Sequence, residues 1–223
     1  KFFYTLEISL KNSFVCLNAV SRSSRKYAYD FFRERKAYPD IFSFVNRESN
    51  KTLLEQYPTI LLDDDVDNPN DGVQWDNTYK RNWFLNTYFN LVTESSAENE
   101  SSQGPKPLHA FDNCFFPTEK TFKPIYNCHP FICIADKDYH QNLKKYFGFD
   151  LYEEIWDYSF DSIENNKDRW HEVLKQSIQV GKDGIDYNKI KEKLISNQQK
   201  FLDIENHENI LLDVLKQIDK FYF

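Results

Sequence analysis

The sequence, 223 residues long, contains no methionine, although a chain of this length ordinarily carries several. The absence extends to position 1. This absence predicts that the given sequence either is a fragment of a longer protein or lacks methionines and loops that the protein itself contains. With 40% hydrophobic and 17% aromatic residues, the composition is that of a globular protein with a full core, in one large domain or two small ones.

Cysteine is scarce too, since the chain contains only Cys16, Cys114, Cys128 and Cys133. Four cysteines are too few for a disulfide-built scaffold, and Cys16 and Cys133 lie in apolar, strand-like runs where a buried free thiol is common. We therefore expect a reducing, cytoplasmic environment. A zinc site formed by Cys128, His129 and Cys133 is disfavoured, because no second pair of ligands has finger-like spacing.

Long apolar runs and an excess of positive charge are missing as well. No run is long enough to span a bilayer, and residues 1–10 lack the charged, apolar and small-residue regions of a signal peptide, so we expect no membrane span. The formal net charge of -7 and the pI of about 5.3 disfavour nucleic acid as a partner, since a surface that binds it must neutralise phosphates. Serine and cysteine hydrolase motifs are also absent.

The chain does contain alternating strand-like and helix-like segments. Residues 13–18 and 40–45 have the apolar pattern of strands, and the segment Ser23–Arg35 between them places Ala28, Phe31, Phe32 and Arg35 on one helical face. This order predicts a βαβ unit with parallel strands. Residues 131–135 (FICIA) form the clearest buried strand, preceded by a helix predicted over 118–127. The pattern therefore predicts an α/β core.

Beyond about residue 164 the pattern changes to helices alone. One helical face is predicted for Trp170, Val173, Leu174 and Ile178, and a second for Leu211, Val214, Leu215, Ile218 and Tyr222. Polar stretches at 63–77 and 95–107 predict surface loops, and the three aspartates of the first, Asp63, Asp64 and Asp65, fit a solvated acidic loop better than a metal site. We therefore predict a domain over 1–165 and a helical extension over 166–223 that packs on it.

The start of the helix at 118 is the segment with the clearest chemistry. Thr118 is the predicted N-cap, and Glu119 suits the first turn. Lys120 is a cation near the positive end of the helix dipole, which is unfavourable by some tenths of a kcal/mol. Its position is explained if a phosphate binds there, on free backbone N–H groups and the ammonium together. The alternative is that Thr118 only caps the helix and Lys120 points into solvent.

Three segments, in this order, resemble the donor-binding domain of the fucosyltransferase family. Asn18, followed by Arg22 and Arg25, resembles the end of the family's first strand, Ser-Asn, and an arginine on the next helix. Residues 89–96 (FNLVTESS) resemble its strand ending in Phe-Glu-Asn-Ser. Residues 117–125 (PTEKTFKPI), with the strand after them, resemble its Thr-Glu-Lys helix and the following Pro-led strand.

The resemblance implies roles for individual residues. Lys120 contacts a diphosphate, Glu119 holds ribose or sugar hydroxyls, and Arg22 or Arg25 adds a second phosphate contact. Glu94, at the carboxyl end of a strand, faces the same crevice. The full set of predicted donor-binding residues is Asn18, Arg22, Arg25, Glu94, Thr118, Glu119, Lys120 and Lys123.

The family pairs two Rossmann-like domains across a cleft, an architecture known as GT-B. The resemblance implies that 1–165 is the Rossmann-like, nucleotide-sugar-binding half, which transfers a sugar from a nucleoside diphosphate to a glycan or other hydroxyl acceptor, with inversion and without a metal. GDP is one candidate nucleotide. The family's general base comes from its other domain, so no catalytic base is assigned here. Ser95, and Ala135 with Asp136, depart from the family pattern and leave the donor's base and sugar open.

Several alternatives stay open beside this interpretation. One is transfer of the sugar to modified DNA bases, which the acidic chain makes less attractive but does not exclude. A catalytically silent protein with the same fold could bind a glycan or nucleotide without turnover. The basic cluster on the first helix, which includes Arg33 and Arg35, is as well explained by a charged outer face as by phosphate contact. Asp157 and Asp161 could touch an acceptor sugar, although turn and capping roles are more common for such residues.

Overall fold

A computed structural model of the protein describes residues 14–18, 22–37, 41–44, 51–57, 84, 86–94, 115 and 117–203. Within these residues one sheet is formed, and every strand pair in it is parallel. Its strands, in chain order, are β1 (Val15–Asn18), β2 (Ile41–Phe44), β3 (Asn90–Thr93) and β4 (Phe131–Ile134). The predicted α/β class is confirmed, and a parallel sheet with flanking helices is consistent with a Rossmann-like fold.

Helices precede and follow these strands. They are α1 (Ser23–Arg35), α2 (Lys51–Gln56), α3 (Glu119–Tyr126), α4 (Tyr139–Phe147), α5 (Asn166–Asp183) and α6 (Lys191–Leu202), with short 3₁₀ helices at Tyr158–Ser162 and Tyr187–Lys189. Helix α1 has the predicted bounds, and Ala28, Phe31 and Phe32 on its predicted face are buried, whereas Arg35, predicted on the same face, is exposed. The predicted βαβ unit is therefore confirmed as β1, α1 and β2.

The order of the strands across the sheet is β2, β1, β3, β4. From β1 the chain continues through α1 to β2 on one side, and from β3 it continues through α3 to β4 on the other. The sheet therefore has a topological switch point between β1 and β3. At such a point the two connections leave in opposite directions and open a crevice at the carboxyl ends of the strands.

The helices after β4 cover the same core as the strands. Helix α5 packs on α1 and β4, α6 packs on α3, and Trp170, Val173 and Leu174 belong to the apolar cluster that contains the strands. The division at residue 165 stays a prediction. In the described part of the chain, no helix is both long and apolar enough to cross a membrane.

The outer edge of β4 is covered by side chains rather than by another strand in the described residues. The Cys133 N–H donates to Nε2 of His140 at 3.0 Å. The Ala135 carbonyl accepts from Nε of Arg169 at 3.1 Å and from Nε1 of Trp170 at 3.3 Å. Covering an edge in this way satisfies its backbone groups and prevents pairing with another chain.

Candidate functional site

Polar side chains meet at the switch point, where β1 and β3 end. Asn18 is the last residue of β1 and Thr93 the last of β3. The Thr93 hydroxyl donates to Oδ1 of Asn18 at 2.7 Å, and Nδ2 of Asn18 donates to the carbonyl of Ser43 at 3.1 Å. Because Ser43 belongs to β2, these bonds hold the carboxyl ends of three neighbouring strands together.

Arg25 reaches from α1 into this buried network. Its Nε donates to the Thr93 hydroxyl at 3.2 Å, and an Nη donates to the Thr93 carbonyl at 3.4 Å. The residue is only 2% exposed. The guanidinium therefore fixes the end of β3 from inside the protein, and its positive charge contributes to the potential at the carboxyl ends of the strands over a longer range.

Glu94 follows β3 directly and is fully buried. Its Oε1 accepts from the Thr118 N–H at 3.1 Å and from the Thr121 hydroxyl at 2.5 Å, and its Oε2 accepts from the Thr118 hydroxyl at 2.6 Å. The Tyr139 hydroxyl donates to Oε1 at 3.1 Å. A carboxyl group among these donors serves as a hydrogen-bond acceptor, and the helix dipole favours a carboxylate at the start of α3.

The first turn of α3 is consequently bonded within the protein. Thr118 is the N-cap, as predicted, and its hydroxyl accepts from the Lys120 N–H at 3.3 Å. Its own N–H is bound to Glu94. The sequence led us to expect that free backbone N–H groups at the start of this helix bind a phosphate. The N–H groups of Thr118 and Lys120 instead have hydrogen-bond partners inside the protein. Positive charge for an anion must come mainly from side chains.

Three charged side chains of α3 lie nearer the surface. The Lys120 ammonium donates to Oε1 of Glu119 at 3.0 Å and to the Thr118 hydroxyl at 3.3 Å, and the side chains of Lys120 and Glu119 are 26% and 37% exposed. Burial raises the pKa of Glu119, but the hydrogen bond and charge of Lys120 outweigh it, so the pKa lies below its ordinary value. Burial lowers the pKa of Lys123; the charge of Glu119 opposes this shift and that of Lys120 reinforces it.

Arg22 stands on the other side of the switch point, half-buried at the N-cap of α1. The predicted donor-binding residues therefore lie at two depths. Asn18, Arg25 and Glu94 are buried and hold strands and helices, whereas the others are half-buried: Arg22, Thr118, Glu119, Lys120 and Lys123. A ligand that approaches from the surface would meet the shallower set first.

Sequence reasoning missed three hydroxyl groups of the network. Thr121 lies one turn after Thr118, and this spacing was a usable signal because residues three apart share a helix face. Thr93 is the last residue of its strand, a position from which side chains reach the crevice. Tyr139 comes from the helix after β4, and no spacing in the sequence connects it with Glu94.

Other predicted features have simpler outcomes. Cys16, Cys128 and Cys133 are buried free thiols, and burial raises the pKa of Cys16 to about 12, so this thiol is neutral. No cluster of three or more potential metal ligands occurs among the described residues.

Asp157 caps a 3₁₀ helix, and Asp161 accepts hydrogen bonds at the start of α4. Outside the described residues lie the predictions for Asp63, Asp64, Asp65, Ser95, Cys114 and the helical face after residue 203.

No protein-family model matches this chain, and neither a curated protein nor a solved structure matches it significantly. The function is therefore inferred from the site itself, since one α/β fold serves many activities.

Proposed function

We propose that this chain contains the nucleotide-sugar-binding half of a glycosyltransferase with two facing Rossmann-like domains. The observation that supports it most is the position of Lys120. This residue lies in the first turn of a helix that begins beside the carboxyl end of β3, at the switch point between β1 and β3. Open α/β sheets bind nucleotides and other ligands at that place.

In the proposed reaction the bond between the anomeric carbon and a diphosphate oxygen breaks, and a bond from that carbon to an acceptor hydroxyl oxygen forms with inversion. The bond electrons leave with the diphosphate, and the hydroxyl proton goes to a general base. Lys120, Lys123 and Arg22 would stabilise the charge that gathers on the departing diphosphate, because fixed cations act most strongly where charge develops. These cations can do so without a metal.

The remaining residues would divide binding and support between them. Glu119, whose lowered pKa keeps it ionised, is suited to accept hydrogen bonds from ribose or sugar hydroxyls. The donor would be a nucleotide-sugar, with GDP among the candidate nucleotides, and the acceptor a glycan or another hydroxyl compound. Buried free thiols support a reducing, cytoplasmic setting.

A second candidate is a binding protein with the same fold and no turnover. The carboxylates of the described site favour this candidate, because none of them has the environment that a general base needs. Glu94 is enclosed by donors, and the pKa of Glu119 is held below its ordinary value, away from the neutral range that a base needs. Under the first proposal, the base must be supplied by a part of the enzyme outside this site.

Thermal unfolding with a panel of nucleoside diphosphates and nucleotide-sugars tests both candidates. A ligand at roughly a hundred times its dissociation constant adds about 2.7 kcal/mol to the folded state, which raises the melting temperature by several degrees. We expect such a rise with one nucleotide, and its loss in the Lys120→Ala variant. Lys175→Ala is the matched control, since Lys175 forms only an exposed pair with Glu172 on α5.

Transfer itself is measured as release of the nucleoside diphosphate from the nucleotide-sugar that binds, with and without glycan acceptors. Release that depends on the acceptor and on Lys120 would support the enzyme. Binding without release would favour the second candidate. If no nucleotide raises the melting temperature of the wild-type protein, the donor-site proposal is wrong.

A further inference from the structure

We propose that Glu94 is a positioning residue that fixes the first turn of α3 and, through the Thr118 hydroxyl, orients the Lys120 ammonium. In this role Glu94 does not touch the donor. The inference rests on the proposed function for what Lys120 binds. It reverses the role expected for Glu94 from the sequence, where it was one of the ligand contacts.

The hydrogen bonds around Glu94 leave little room for a ligand. Four hydroxyl and N–H groups lie within 3.1 Å of its two oxygens: the N–H and hydroxyl of Thr118 and the hydroxyls of Thr121 and Tyr139, which are also 2.7 Å from each other. A carboxylate offers about four lone-pair sites. A sugar or ribose hydroxyl could reach this fully buried group only by displacing one of these protein donors, which would leave a buried polar group unsatisfied.

The Thr118 hydroxyl connects the buried carboxylate with the surface lysine. Its proton points to Oε2 of Glu94 at 2.6 Å, so its lone pairs are free to accept from other donors. They accept from the backbone N–H and from the ammonium of Lys120, both at 3.3 Å. Without the negative charge of Glu94 the hydroxyl proton has no fixed direction, and both contacts to Lys120 are weakened.

Glu94 also takes the place that an anionic ligand would otherwise occupy. A negative charge at a helix N-terminus is favoured by the dipole, and here the chain itself provides it. A diphosphate is therefore expected to bind chiefly through the Lys120 side chain rather than through the Thr118 N–H. Its affinity should consequently depend on where that side chain is held.

The first experiment needs no ligand. Hydrogen exchange is compared between the wild type, Glu94→Gln, Thr118→Val and Thr118→Ser, with α5 as the internal reference. We expect faster exchange in α3 for Glu94→Gln and Thr118→Val, and near wild-type exchange for Thr118→Ser, which keeps the hydroxyl. Unchanged exchange in α3 of Glu94→Gln would overturn the inference. If that variant fails to fold, Thr118→Val against Thr118→Ser decides the matter alone.

The second experiment follows Lys120 itself. The acetylation rates of Lys120 and Lys123 are measured by peptide mass spectrometry, because a merely global loss of stability would change both together. We expect the ratio of the Lys120 rate to the Lys123 rate to rise in Glu94→Gln and Thr118→Val and to stay unchanged in Thr118→Ser. A ratio that stays constant in all three variants would contradict an orienting role.

Binding of inorganic pyrophosphate, used as the probe, is the third readout. We expect Glu94→Gln to weaken it about tenfold, the size of one lost hydrogen bond to a charged group, and Lys120→Ala to abolish it. Normal pyrophosphate binding in Glu94→Gln combined with lost binding of a nucleotide-sugar would overturn the inference, because it would make Glu94 a direct sugar contact. If the wild type binds no pyrophosphate while exchange and acetylation change as expected, the positioning role stands and the donor-site proposal falls.

Discussion

Two buried carboxylates each hold the start of a helix from a distant part of the chain. Glu94 does so for α3, and Asp161 does so for α4, where its Oδ1 accepts from the His140 N–H at 3.2 Å and its Oδ2 from the Gln141 N–H at 3.0 Å. They differ in their other partners. Hydroxyl and N–H groups donate to Glu94, whereas Asp161 also accepts from a histidine ring, Nδ1 of His140, at 2.8 Å.

This difference distinguishes Asp161, which stabilises the fold, from Glu94, which serves the proposed site. His140 donates to Asp161 with one ring nitrogen and accepts the Cys133 N–H with the other, so Asp161 indirectly secures the edge strand β4. Burial raises the pKa of Asp161, but the hydrogen bonds that it accepts from His140 and Gln141 outweigh this effect, so the pKa lies below its ordinary value. Glu94 instead faces the switch point, where it holds a helix that carries two lysines. We therefore expect Asp161 to matter most for stability and Glu94 for binding.

The largest effect is expected for Asp161→Ala. The change leaves three donors without their acceptor, and because each buried donor left unsatisfied costs roughly 1 to 3 kcal/mol, we expect a loss of about 4 kcal/mol. Chemical denaturation measures the loss of unfolding free energy. Asp157→Ala, on the same 3₁₀ segment but exposed, is the matched control and should lose much less. Equal losses in the two variants would show that the His140 network has no special weight.

His129 is a buried histidine that, unlike His140, has no carboxylate partner among the described residues. Nε2 of His129 donates to the Thr87 carbonyl at 3.0 Å, and its buried Nδ1 has no hydrogen-bond partner in the part of the chain that the structure describes. Burial lowers the pKa of His129 from 6.5 to about 4. The unfolded chain therefore binds a proton as the pH falls through 6.5, and the folded protein does so only near pH 4.

Stability should accordingly decrease as the pH falls from about 6.5 to about 4, by up to about 3 kcal/mol in total. Denaturation curves across this range measure it. His129→Gln, which keeps a donor for the Thr87 carbonyl but cannot titrate, should remove this part of the pH dependence. The Asp161 contribution falls in a separate, more acidic window, since its lowered pKa makes it fully present above the ordinary range of an aspartate. An unchanged slope in His129→Gln would refute the prediction.

Glu94→Gln is expected to lower the unfolding free energy by about 2 kcal/mol, less than Asp161→Ala. The amide keeps one oxygen as an acceptor, but its NH₂ group opposes the Thr118 hydroxyl, so one buried donor loses its partner. Tyr139→Phe is the control, since it removes a single donor and leaves the carboxylate three others. Denaturation of both variants is the measurement. A loss for Tyr139→Phe as large as that for Glu94→Gln would assign the stability to Tyr139 packing instead.

Local patterns predicted much of the fold, but not the depth of the site residues. Helix α1 and the Thr118 cap follow from spacing and capping chemistry within a few residues of the chain. The order of the strands depends on pairing between β1 and β3, which are far apart in sequence, so spacing could not reveal it. Glu94 and Lys120 were equal candidates in the sequence, and they are separated by the burial of Glu94 among the hydroxyl groups of Thr118, Thr121 and Tyr139.

The smallest effect is expected at a cap formed within its own helix. The Asn165 side chain accepts from the Lys167 N–H at 2.9 Å and the Asp168 N–H at 3.1 Å at the exposed start of α5. Asn165→Ala should cost about 1 kcal/mol, because water can replace part of what the side chain provides. Asn165→Asp, which keeps the acceptor and adds a charge favoured by the dipole, should cost nothing. If Asn165→Ala lowered the unfolding free energy as much as Glu94→Gln, burial would not explain why Glu94 and Asp161 stabilise the protein more than an exposed cap does.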